Sequence, residues 1–134
     1  MFPSFSTIPD VPATVARIAL GLLFIPHGWP KIKDLKATVG WVKKTGWPGA
    51  AVFAVLFSLL EFFGGIALLL GFLTQLVALL IGLEMIATAI FSKKQLGKKY
   101  LSGYELDVAY LLFAVVVFLL GPGSWSLDHL LGWA

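Results

Sequence analysis

The stretch AAVFAVLFSLLEFFGGIALLLGFLTQLVALLIGLEMIATAIF, residues 50–91, decides the fold: it contains two acidic residues, Glu61 and Glu84, and no lysine or arginine. A bilayer hydrocarbon core takes about 20 mostly apolar residues per spanning helix. The stretch is therefore long enough for two spans, from about Ala50 to Phe72 and from about Thr74 to Phe91. Their only break is Gly71-Phe72-Leu73-Thr74-Gln75, and so short a connection predicts an antiparallel hairpin. Working outward, a span is expected from about Val11 to Trp29 and another from about Tyr104 to Leu120, stopped by Gly121-Pro122-Gly123. Pro12 suits a first helical turn, where its missing N–H costs nothing. Pro26 is expected to kink or end the first span. The reading is an all-α, single-domain chain over residues 1–134, an integral membrane four-helix bundle.

Composition agrees. Hydrophobic residues make up 59% of the chain and charged residues 13%, against about 45–50% and about 25% in soluble domains. A soluble chain this short leaves about a third of its unfolded surface exposed and needs polar residues to cover it. The absence of cysteine excludes disulfide scaffolds, thiolate metal sites and dithiol chemistry within this chain. The first ten residues, MFPSFSTIPD, lack a positively charged n-region, so no cleaved secretory signal is expected. The net charge of +3 does not point to nucleic acid, because the lysines concentrate in two connections.

Those connections predict the topology. Lys31, Lys33, Lys36, Lys43 and Lys44 follow the first span, and Lys93, Lys94, Lys98 and Lys99 follow the third. The two tails and the hairpin turn carry no Lys or Arg. Cytoplasmic loops carry the positive excess, so both lysine loops are expected in the cytoplasm and both termini outside. Within the first loop, Leu35, Val39 and Val42 recur at near-helical spacing, with Lys36, Lys43 and Lys44 largely off that line. This predicts a short amphipathic helix in the membrane interface. Trp29, Trp41 and Trp47 on that side, with Trp125 and Trp133 on the other, read as interfacial anchors.

Arg17, Glu61 and Glu84 fall inside the spans. A charge at the bilayer centre costs about 2.5–3.5 kcal/mol on insertion scales, so such residues face the bundle interior and find partners. Spacing supports that orientation: Ala13, Arg17, Gly21 and Gly28 share a face of the first span, and Ala54, Ser58, Glu61 and Gly65 a face of the second. Gly103, Asp107, Tyr110, Ala114 and Gly121 do the same on the fourth, and Thr88 follows Glu84 by one turn on the third. Small and polar faces of this kind suit helix contacts in membranes. The expectation is an Arg17–Glu61 ion pair, with Glu84 left to be protonated, to meet a polar group or to line a cavity. His27 and His129 lie at opposite membrane surfaces, about 30 Å apart, and so do not share a haem. No metal-ligand spacing occurs.

Four segments, taken together, resemble the DoxX family of small bacterial and archaeal membrane proteins. They are Arg17 through the apolar run to His27-Gly28-Trp29-Pro30-Lys31; Gly46-Trp47-Pro48 leading to Glu61-Phe62-Phe63-Gly64-Gly65 and Leu70-Gly71-Phe72-Leu73-Thr74; Gly103-Tyr104-Glu105-Leu106; and Gly121-Pro122-Gly123-Ser124-Trp125-Ser126-Leu127-Asp128. The resemblance runs from about Ala16 to Leu131. It implies a four-helix bundle in the cytoplasmic membrane and an association with quinone-linked redox, notably as a component of thiosulfate:quinone oxidoreductase in some archaea. On this reading the chain is a membrane subunit of a quinone-linked oxidoreductase complex. It would have no covalent cofactor, a quinone as ligand, and a redox partner protein bearing the electron carrier. Arg17, His27, Glu61, Glu84, Asp107 and Tyr110 are the candidate ligand or proton residues, and no metal site is assigned. A small proton-coupled transporter and a non-catalytic scaffold or assembly factor are the alternatives. The small-residue faces would serve a second copy of the chain as well as its own helices.

Overall fold

The computed structural model describes residues 10–134 and has four helices long and apolar enough to cross a membrane. The reading of residues 1–9 as lacking a signal sequence lies outside the described residues. Helix α1 spans Val11–Lys33, the short helix α2 spans Leu35–Lys44, α3 spans Ala50–Leu70 and α4 spans Thr74–Lys94. Helix α5 covers Glu105–Leu120, preceded by an irregular π-type turn over Tyr100–Tyr104, and α6 is one turn, Leu127–Leu130. Among the described residues there are no strands. The chain is an all-α membrane bundle with a short amphipathic helix between its first two spans.

Helix α1 does not end at Pro26. It continues through Pro26 and Pro30 to Lys33. A proline removes an N–H and crowds the preceding turn, but a neighbouring helix can hold the segment beyond it. Here α3 does so. A Cβ on Gly28 would collide with the Phe62 backbone nitrogen, and one on Gly21 would meet the Gly65 carbonyl at 2.6 Å. The two helices therefore touch backbone to backbone at two levels, which only glycine allows. The buried centre combines Leu20 and Phe24 of α1, Leu68 of α3, Val77, Ala78, Ile81 and Met85 of α4, and Ala114 and Val117 of α5. Large apolar side chains such as Leu22, Leu56, Leu83, Leu112 and Leu119 point outward, as lipid-facing positions should.

The bundle has two chemically different ends. At the hairpin end, α3 and α4 meet at Gly71, whose φ of 68° is the left-handed conformation glycine adopts at low cost. Helix ends leave carbonyl and N–H groups without partners, and inside a bilayer each must be satisfied by the protein. Arg17 supplies the donors. Its guanidinium donates to the Leu68 and Leu69 carbonyls at the end of α3 at 2.9 and 2.6 Å, and to the Pro122 and Trp125 carbonyls at 3.0 and 2.8 Å. Asp128 supplies the acceptors, taking the Leu73 and Thr74 N–H groups at the start of α4 at 2.7 and 2.9 Å. Its own N–H donates to the Gly71 carbonyl. Asp10, beside the start of α1, accepts from Ser124 of the same clasp, so both described chain ends lie at this end of the bundle.

The Gly28 contact makes a sharp expectation. Gly28→Val should lower stability in detergent by about 1–3 kcal/mol, because the colliding atoms are backbone. Gly40→Ala is the control: nothing lies within 4 Å of its Cβ position, and the exchange favours a helix. Melting temperatures of the two purified variants would test this.

Candidate functional site: a cavity at the lysine end

At the lysine end the helices separate around a cavity of about 560 Å³. Helix α2 forms one wall. Asp34 caps it by accepting from the Ala37 N–H at 3.0 Å, a common way to start a helix. Of the expected apolar line only Val42 lines the cavity, together with Ala37, Thr38 and Trp41, while Lys36, Lys43 and Lys44 are exposed. Trp47, Phe53 and Phe57 add an aromatic side, and Phe91 stacks edge-on against Trp41 and Trp47 with ring centroids 5.8 and 5.6 Å apart. Trp41 and Trp47, expected as interfacial anchors, are thus walls of a cavity.

The inner end is polar. On α3, Ala54, Ser58 and Glu61 share the face predicted for them, and a π-turn over Leu60–Gly64 widens the helix at Glu61; such turns recur at functional sites. On α4, Glu84, Thr88 and Ser92 follow one another at steps of one turn and all line the cavity. Asp107 enters from α5 and accepts from the Ser92 hydroxyl at 3.2 Å. Glu61, Glu84 and Asp107, three of the six candidate residues, are therefore brought to one place. Among the described residues, no three such groups converge closely enough to hold a metal ion.

The expected Arg17–Glu61 pair does not form. Glu61 is bound by Lys31, whose ammonium donates to both carboxylate oxygens at 2.8 and 2.7 Å. Arg17 and Lys31 are 14 residues apart on one helix, about 21 Å at 1.5 Å per residue. With α1 continuous past the prolines, the two cations serve opposite ends of the bundle. By sequence Lys31 is a topology signal and the end of a family-like segment but not a site candidate, because Pro26 is expected to kink or end the span before it. His27 and Tyr110 also stand outside the cavity. They pair with each other, His27 Nε2 to the Tyr110 hydroxyl at 3.1 Å, beside the Phe24 ring.

Glu84 is the outlier. It is 2% exposed and neither carboxyl oxygen has a hydrogen-bond partner among the described residues. Unpartnered buried polar atoms are rare in native proteins and invite a functional explanation. Glu61, its neighbour in the cavity wall, is already committed to Lys31. Removing that commitment should matter: Lys31→Met leaves a buried carboxylate uncompensated and should lower stability by about 1–3 kcal/mol. The double variant Lys31→Met, Glu61→Gln should recover part of the loss, a coupling that a double-mutant cycle measures.

The comparisons with known proteins match this architecture. The DoxX family model matches residues 13–94. "Inner membrane protein YqjF" of Escherichia coli is 35% identical over 92% of this chain and 95% of its own length, and "Inner membrane protein YphA" of the same organism is 28% identical over 93% and 94%. "Putative oxidoreductase CatD" of Bacillus subtilis is 25% identical over 89% of this chain and 86% of its own length. No solved structure matches. Family model, near full-length relatives and a four-span helical bundle agree, and the chain is a member of the DoxX family.

Proposed function

We propose that the cavity at the lysine end binds the ring of a quinone and that the chain serves as a membrane subunit of a quinone-linked oxidoreductase complex. The observation that carries the reading is the cavity itself, about 560 Å³ with apolar aromatic walls and a polar inner end. Small-molecule sites have volumes of about 300–1,000 Å³, are mostly apolar and hold a few convergent polar groups. Trp41, Trp47, Phe57 and Phe91 would hold the ring, and Lys31, Glu84 and Asp107 would meet its oxygens. When bound, a quinone supplies two-electron, two-proton chemistry. The chain's own part is to hold the ring out of water and to present carboxyl groups with which protons are exchanged. The oxidoreductase name of the Bacillus subtilis relative supports the same direction. The electron carrier would sit on a partner protein.

The charge pattern supports a topology with the lysine end, and so the cavity, in the cytoplasmic half of a bacterial or archaeal cytoplasmic membrane. The hairpin end and both termini then face outside. Alkaline phosphatase fused after Ala134 should be active in intact cells, and fused within the Lys93–Lys99 loop it should be inactive. The opposite pattern would reverse the topology.

Mass spectrometry of lipids retained by protein purified in mild detergent tests the site. Wild type should carry near-stoichiometric quinone. Ala87→Phe, which places a ring inside the cavity, should lose it, and His27→Ala, outside the cavity, should keep it. No quinone above the detergent background in the wild type would sink the reading.

A further inference from the structure

The inner end of the cavity brings together two carboxyl groups and one ammonium. Lys31 of α1 donates to both oxygens of Glu61 on α3, at 2.8 and 2.7 Å. Glu84 of α4 lines the same wall, is 2% exposed and has no hydrogen-bond partner for either oxygen among the described residues. The charged groups close enough to act on it are Glu61, Lys31 and Asp107. Asp107 of α5 is only half-buried, accepts from the Ser92 hydroxyl and feels the Lys98 ammonium of the loop. Helix α2 adds no charge to the lining, since Lys36, Lys43 and Lys44 are exposed.

Charge counting decides what this group of three holds. An ionised carboxylate taken out of water without a cation is costly, and such a group takes up a proton instead. Lys31 can neutralise one carboxylate, and its two hydrogen bonds commit it to Glu61. The other carboxyl is neutral only as the acid. We infer that the inner end of the cavity is a proton-binding site that holds a single proton on Glu84, with Lys31 deciding which of the two glutamates carries it. The inference goes beyond the quinone reading and does not depend on it. It makes the two carboxyl groups interdependent. In Glu61→Gln, Lys31 loses its anion, and Glu84 becomes the carboxylate that pairs with it. In Lys31→Met no cation remains, and both glutamates take protons. Groups that only packed against each other would show neither exchange.

The test treats the full chain, in nanodiscs near neutral pH, with dicyclohexylcarbodiimide, an apolar reagent suited to the aromatic walls. It reacts with a neutral carboxyl. The acid proton goes to a reagent nitrogen, the carboxyl oxygen bonds to the central carbon, and acyl transfer to nitrogen leaves a stable N-acylurea with no atom lost. A carboxylate held by an ammonium does not react. Peptide mass spectrometry of the wild type should place the reagent on Glu84 and leave Glu61 and Asp107 unmodified. Labelling of Glu84 should fall roughly tenfold in Glu61→Gln, and in Lys31→Met Glu61 should be labelled as well. Reagent on Glu61 or Asp107 in place of Glu84, or on none of them, would overturn the inference. So would undiminished labelling of Glu84 in a folded Glu61→Gln variant. The wild-type pattern decides the question if a variant misfolds. Infrared spectra add a check that needs no reagent: the wild type should show a protonated-carboxyl C=O band that Glu84→Gln lacks, and its absence from the wild type would also overturn the inference. A wild type that labels at Glu84 yet retains no quinone would leave this site standing and sink the quinone reading alone.

Discussion

The guanidinium of Arg17 is the interaction on which the bundle's closed end depends. It sits buried in α1, yet its partners are four backbone carbonyls from two other segments, the end of α3 and the loop after α5. The bilayer is the reason such a device is needed. In water, the last carbonyls of α3 and the irregular backbone of the Gly121–Ser126 loop would be solvated. Among apolar helices they must be satisfied by the protein, and a planar cation with five N–H groups can satisfy several from one position. Asp128 is the complement, accepting the first N–H groups of α4. Its charge also suits the positive end of that helix. One cation and one anion thus complete the two helix ends at the hairpin and draw the C-terminal segment onto them.

With that end closed, the other is free to be open. Lys31 and Glu61 connect α1 and α3, and the glycine contacts at Gly21 and Gly28 hold those helices too close for anything between them. The space lies between α3, α4 and the start of α5, with Lys31 of α1 at its inner wall and α2 along its edge. Helix α2 cannot bury itself, since none of its residues is fully buried. It therefore offers an apolar face to the cavity and its lysines outward. This division of labour accounts for the family-like motifs. The arginine, the Gly-Pro-Gly turn and the Ser-Leu-Asp run build the clasp. The lysine near the end of the first span, Lys31, and the glutamate of the second, Glu61, build the inner wall of the site.

Much of this was legible in the chain. The long apolar runs required four spans, the five-residue break at Gly71 required a hairpin, and the alternation of Leu35, Val39 and Val42 with lysines required an amphipathic helix. Two of the inward faces predicted from spacing are buried as expected: Ala13, Arg17, Gly21 and Gly28 on α1, and Ala54, Ser58, Glu61 and Gly65 on α3. Periodicity reveals which way a side chain points because a helix repeats every 3.6 residues whatever surrounds it.

Periodicity says nothing about what the side chain meets. Arg17 and Glu61 both face inward, and charge alone made them partners; the tertiary structure separates them because α1 stays helical through two prolines and carries Lys31 to Glu61 instead. The same holds for His27 and Tyr110, which pair outside the cavity, and for Trp41 and Trp47, which wall it. By itself the sequence determined the number of spans, their inward faces and the asymmetry of charge, since these follow from hydropathy and local geometry. Which donor meets which acceptor, and which carboxyl group is left without one, was decided by the packing of helices distant in sequence.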